Sequence, residues 1–140
     1  MYNIKPYRNT RQWYYRGSLE SCNYSCSYCP FSKKPQSSKE LEKDKENLVQ
    51  FVSALLDKEN GVSRECAVQI VPYGEALIHK YYWQEMALLS RSPLIEAVGA
   101  QTNLSFLLEK ALEEYRQAGG ILPHLRLWAT FHPEMISAEA

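Results

Sequence analysis

Along this 140-residue chain, short segments rich in aromatic and aliphatic residues alternate with stretches of helical periodicity, and that alternation limits the fold more than any other feature. The aromatic crowding at Trp13–Gly17 predicts a first strand, followed by a Cys- and Ser-rich loop. A polar connector over Lys33–Ser38 follows, in which Ser37 and Glu40 have the spacing of a capping box. They open a helix over Ser38–Leu56, where Leu41, Leu48, Val52 and Leu55 return to one face. Glu42, Lys43, Lys45 and Glu46 occupy the other face, which reads as solvated. The apolar run Ala67–Val71 predicts a second strand buried on both sides, stopped by Pro72 and Gly74. Ile78, Tyr82, Met86 and Leu89 predict a helix over Ile78–Ser90, and Pro93 ends that region. A strand over Ile95–Ala100, a helix over Ser105–Gln117 closed by Gly119 and Gly120, and a strand over Leu125–Thr130 complete the series. Repeats of this length form right-handed β-α-β units on a parallel sheet, so the expected class is α/β.

Hydrophobic residues make up 45% of the chain, enough for one buried core and a single domain. With 16 basic residues against 16 acidic, the chain lacks the net positive charge of a nonspecific nucleic-acid binder. The N-terminus mixes Lys5, Arg8, Arg11 and Arg16 with Tyr7, Trp13, Tyr14 and Tyr15, unlike the apolar core of a secretory signal. Apolar stretches are too short to cross a bilayer, and a cytoplasmic location is the expectation. In a reducing compartment, clustered thiols argue for metal before disulfide, and three of the four cysteines fall within eight positions.

Those three are Cys22, Cys26 and Cys29, in the run Cys22-Asn23-Tyr24-Ser25-Cys26-Ser27-Tyr28-Cys29 on the loop leaving the first strand. The spacing lets one loop wrap three thiolates around one face of an iron–sulfur cube. The bacterial ferredoxin run adds a fourth cysteine, whereas no further thiol lies near this loop, so one iron is left without a protein ligand. Cys66 precedes the second strand and falls at the opposite end of a parallel sheet, some seven residues or on the order of 20 Å away. It reads as a small buried residue.

Cys-x3-Cys-x2-Cys with an aromatic, Tyr28, just before the third cysteine resembles the signature of the radical S-adenosylmethionine (radical SAM) superfamily. The resemblance implies a 4Fe–4S cluster on Cys22, Cys26 and Cys29, with S-adenosyl-L-methionine on the open iron. Reductive cleavage would give methionine and a 5′-deoxyadenosyl radical that takes hydrogen from an unknown substrate. It also implies that Tyr28 lies near the adenine, the alternative being a core aromatic beside the loop. Pro72-Tyr73-Gly74-Glu75 is similar to the Gly-Gly-Glu element that meets the cofactor's amino group, with Tyr73 at a usual glycine position. By the same likeness, Gln101-Thr102-Asn103 and Thr130-Phe131-His132-Pro133-Glu134 are where polar residues reach ribose, methionine or substrate. Carboxyl ends of parallel strands bind ligands on general grounds as well. The cofactor contacts expected from this are Tyr28, Gly74, Glu75, Asn103 and Thr130, with His132 and Glu134 as candidates; Pro30 and Phe31 shape the exit from the loop. A flavodoxin- or ferredoxin-type electron donor is the implied partner. Tyr15-Arg16-Gly17 and Tyr28-Cys29-Pro30-Phe31 look like a bacterial branch of the superfamily, a likeness that supplies no substrate.

The family core is a partial barrel of six β-α units, whereas this chain supplies four strands and three helices. The expectation is therefore the N-terminal portion of a radical SAM core domain over residues 1–140, from a truncated, fragmentary or split protein, with the last strand as an unprotected sheet edge. Two other readings stay open. Three thiolates with His124 or His132 would close a structural zinc site, and an iron–sulfur electron carrier would use the cluster without S-adenosylmethionine.

Overall fold

A computed structural model describes residues 11–30 and 34–136; Phe31 and the N-terminal residues through 10 lie outside them. The order is β1 (Arg11–Tyr15), α1 (Ser38–Leu56), β2 (Cys66–Ile70), α2 (Lys80–Ser90), β3 (Ile95–Thr102), α3 (Leu108–Gln117), a 3-10 turn (Leu122–His124) and β4 (Leu125–Ala129). The four strands form one sheet in the order β1-β2-β3-β4, every pair parallel. Right-handed crossovers between sequential neighbours put all three helices on the same face. The core between helices and sheet joins Leu48, Val52 and Leu55 of α1 to Val68 and Ile70 of β2, Val98 and Ala100 of β3, and Tyr82, Met86 and Leu89 of α2. Each buried Leu, Ile, Val or Met among them contributes roughly 1.5–3 kcal/mol. Among the described residues no helix is long and apolar enough to cross a membrane.

The predicted bounds of α1 are those observed, and Ser37 and Glu40 form the reciprocal capping box. Other bounds move for local reasons. β1 starts two residues earlier, because Arg11 already pairs with Cys66. α2 begins at Lys80, since a turn from the Ala76 carbonyl to the His79 N–H comes first. α3 begins at Leu108, its first bond running from Ala111 N–H to the Leu107 carbonyl, because Leu104 takes a left-handed φ of 52° and the chain turns before it enters the helix. β3 runs on to Thr102 because Gln101 and Thr102 pair with Trp128 and Ala129 of β4.

β2 is buried on both faces as expected, with Cys66, Val68 and Ile70 on one face and Ala67 on the other, and Gln69 half-buried. The charge run of α1 is solvated at Glu42, Lys43 and Glu46, with Lys45 half-buried, and one further acid in it departs from that pattern. Asp44 within it is 0% exposed, accepting hydrogen bonds from Ser18 N–H and Oγ (3.1 Å each), Tyr81 OH (2.9 Å) and Tyr82 OH (2.7 Å).

Candidate metal centre

Asp44 fixes the start of the cysteine loop to α1 and α2, and two further devices hold the next residues. Gln36 Oε1 accepts from the N–H groups of Glu20 (2.9 Å) and Ser21 (3.0 Å), while its Nε2 donates to the Ser18 carbonyl (3.2 Å). The segment leaving β2 donates from Gly74 N–H to the Leu19 carbonyl (3.1 Å) and from Glu75 N–H to the Ser21 carbonyl (3.0 Å). Contact is so close that a Cβ on Gly74 would stand 2.0 Å from the Ser21 carbonyl oxygen. Glycine is required there for backbone approach. The residue expected to bring backbone to a cofactor therefore first brings it to the loop.

The loop then delivers Cys22, Cys26 and Cys29 to a cavity of about 250 Å³ at the carboxyl ends of the strands. Tyr24, Tyr28, Gly74, Glu75, Thr102, Asn103, Thr130 and His132 line the same cavity, so every cofactor contact expected from the sequence is gathered in one place. Tyr28 is 54% exposed, which removes the core-aromatic alternative and leaves its ring available to a ligand. Its OH lies 2.9 Å from His132 Nδ1.

Glu75 organises the floor. Its Oε1 accepts from Leu77 N–H (3.1 Å) and Thr102 Oγ1 (2.7 Å), and its Oε2 accepts from Asn103 N–H (2.7 Å). Burial pushes its carboxyl above the usual carboxylate range, against the pull of those bonds. Asn103, positioned in this way, donates from Nδ2 to Asn23 Oδ1 (3.1 Å) and lies 3.7 Å from Cys22 Sγ. Thr130 extends the ladder beyond β4 through its N–H to the Thr102 carbonyl (2.9 Å). Glu134, a candidate from the sequence, accepts from Ser27 N–H at 2.7 Å and from Ser27 Oγ, and does not itself line the cavity.

None of the four cysteines is in a disulfide. Cys66 is buried at the first position of β2, its N–H on the Leu94 carbonyl, at the amino end of the strands and away from the loop. Burial pushes the Cys22 thiol up, opposed by the Tyr24 N–H and reinforced by Glu75 and the other two thiols. A cation is what would reverse that preference, since a coordinating thiol ionises outright beside a metal. Among the described residues no three His, Cys, Asp or Glu side chains converge closely enough for a single metal ion. A four-iron cube spreads its ligands over separate corners, and three thiols around one cavity fit that demand. Of the histidines considered for zinc, His124 is turned to the Ser90 carbonyl (2.9 Å) at the far end of β4, whereas His132 Nδ1 lies 3.5 Å from Cys26 Sγ.

Asp44, Gln36 and Ser27 went unmarked in the sequence. For Asp44 a signal existed: it falls three residues after Leu41 and four before Leu48, on the face that α1 buries. Gln36 and Ser27 act across distances in the chain that no local pattern reports.

An α/β chain with three cysteines outside disulfides at the carboxyl ends of its strands carries the donor set of a thiolate centre. The family profile of the Radical SAM superfamily matches residues 18–129, and the chain belongs to that superfamily. Its members generally use a 4Fe–4S cluster and S-adenosylmethionine, and the match does not favour a zinc module. No curated protein and no solved structure matches the chain.

Proposed function

We propose that Cys22, Cys26 and Cys29 hold a 4Fe–4S cluster by three irons and that S-adenosylmethionine occupies the fourth, in a radical SAM enzyme. Held by Cys22, Cys26 and Cys29, such a cluster would supply the single electron for reductive cleavage of S-adenosylmethionine to methionine and a 5′-deoxyadenosyl radical, which would take a hydrogen atom from the substrate. The chain's own residues bind and orient. Asn103 steadies Cys22, and Glu75 fixes Asn103 and Thr102. Tyr28 offers an open ring face to the adenine, with Gly74 and Thr130 at the cavity wall to meet the rest of the cofactor. A flavodoxin- or ferredoxin-type protein provides the electron.

The observation that carries this reading is the sharing of one cavity by Cys22, Cys26, Cys29 and the Glu75–Asn103 pair, in a chain of this family. Anaerobic reconstitution tests it. A brown protein with iron and sulfide in near-equal amounts is expected, and a colourless zinc protein would overturn the cluster assignment. Addition of S-adenosylmethionine and dithionite should then yield 5′-deoxyadenosine, and Cys26→Ala should abolish it. A normal cluster with no cleavage would remove the enzymatic half of the proposal.

A further inference from the structure

The two halves of the cysteine loop are held by different parts of the chain. Residues 18–23 are fastened by Asp44, Gln36, Gly74, Glu75 and Asn103, all from elements earlier than β4. The second half contains a turn closed by Cys29 N–H on the Cys26 carbonyl (3.2 Å). Its contacts outside the loop reach instead to the segment after β4. Ser27 N–H and Oγ both donate to the Glu134 carboxylate, the former at 2.7 Å. Tyr28 OH and Cys26 Sγ meet His132 Nδ1, Tyr24 sets its ring edge-on to His132 with centroids 5.7 Å apart, and Ser25 Oγ lies 4.0 Å from Met135 Sδ. The segment is itself a turn, with the N–H groups of Met135 (3.0 Å) and Ile136 (3.2 Å) on the His132 carbonyl, and Thr130 ties its base to β3.

We infer that residues 130–136 form a clasp that orders the second half of the cysteine loop, with Glu134 as a positioning residue acting through Ser27. Ser27 stands between Cys26 and Cys29, so a carboxylate gripping both its N–H and its hydroxyl sets the turn that separates two of the three thiols. Charge-assisted bonds of this kind are the stronger ones and are geometrically specific. Glu134 and Ser27 are both exposed, so losing their contact frees the loop locally and leaves the core intact. The consequence for metal binding rests on the proposed cluster; the ordering of the loop does not.

The test compares the full chain with Glu134→Ala, Glu134→Gln and Ser27→Ala. In the cluster-free protein, Glu134→Ala should raise amide hydrogen exchange at Ser27 about tenfold, as expected for loss of a charge-assisted bond, with α1 and β2 amides unchanged. Glu134→Gln keeps a carbonyl for the Ser27 N–H and should fall between the two. Ser27→Ala keeps the N–H and should lose less than Glu134→Ala. After reconstitution, Glu134→Ala should surrender iron to a chelator several-fold faster than wild type, with Glu134→Gln again intermediate. Unchanged exchange at Ser27 in Glu134→Ala would overturn the clasp, and unchanged exchange with an unchanged cluster half-life would overturn both of its parts. If the wild type takes up no cluster, the cluster assignment fails, and the exchange comparison still decides the clasp.

Discussion

Replacing Gly74 by alanine should destabilise the cluster-free protein by about 3 kcal/mol, with a cause separable from any cofactor. The added Cβ would stand 2.0 Å from the Ser21 carbonyl oxygen, 2.8 Å from its carbon and 2.9 Å from the Glu20 carbonyl carbon. All three are backbone atoms, so no rotamer change relieves the overlap, and about an ångström of separation is needed before the contact becomes tolerable. That movement breaks or stretches the bonds from Gly74 N–H to Leu19 and Glu75 N–H to Ser21, at 3.1 and 3.0 Å. Two backbone bonds at roughly 0.5–1.5 kcal/mol each, plus roughly 1–3 kcal/mol of overpacking, outweigh the roughly 0.4–1 kcal/mol gained by restricting the unfolded chain. Gly74 has no left-handed φ, so the cost lies in contact alone. Urea denaturation of cluster-free protein measures it, with Gly99→Ala as the internal control. There the Cβ meets the side chain of Gln69 at 2.3 Å, which can swing aside, and the change should stay within about 1 kcal/mol. If Gly74→Ala lies within about 0.5 kcal/mol of wild type, or no lower than Gly99→Ala, the packing argument is refuted.

Asp44→Ala should cost about 3 kcal/mol in thermal or chemical denaturation, because the buried Tyr82 OH and the half-buried Tyr81 OH lose their acceptor. Asp44→Asn, which keeps one carbonyl oxygen, should cost less; equal losses would deny that acceptor count is what matters. Burial holds the His79 imidazole below its ordinary value of 6.5, so the unfolded state takes up a proton first as the pH falls. Stability should therefore decline as pH drops through 6.5, and His79→Gln should flatten the urea midpoints between pH 7.5 and 5.5, values chosen at about one unit either side. Cys66→Ala should lose at most about 1 kcal/mol of stability and no iron after reconstitution, as expected for a buried thiol acting as a small hydrophobe. Iron loss in that variant would place Cys66 among the ligands.

Periodicity made the elements legible because most of the core residues belong to helices and strands of ordinary pattern. The capping box at Ser37 and Glu40 needs only four consecutive positions, and α1 fell within its expected bounds. Element ends were less legible where the deciding partner is distant: β3 extends to Thr102 because β4 is there to pair with it. The cavity followed from a topological rule, since loops after β1, β2, β3 and β4 must meet at one end of a parallel sheet. The support beneath it was less legible: Asp44 is a charge at a core-facing position of α1 whose partners lie elsewhere in the chain, and Glu134 acts across 107 positions of sequence to reach Ser27.

That separation bears on how the centre is assembled. Cys22 is steadied by Asn103, whose own position depends on Glu75, so its surroundings are complete once β1, β2 and β3 have paired. Cys26 and Cys29 flank a turn whose outside contacts come from the residues after β4, and those residues reach it only when β4 has docked on β3 through Val98–Thr102. The Ser27–Glu134 contact spans 107 positions of sequence, so it forms only after the strands between them have paired and β4 has docked. A variant that weakens the β3–β4 ladder without touching the loop should therefore loosen Ser27 and leave Cys22 and Asn103 in place. Leu127→Ala, on β4 and packed against the core, is such a variant. Amide exchange should rise at Ser27 and Tyr28 and stay at its wild-type rate at Asn103; an equal rise at all three would mean that the loop is ordered as one unit.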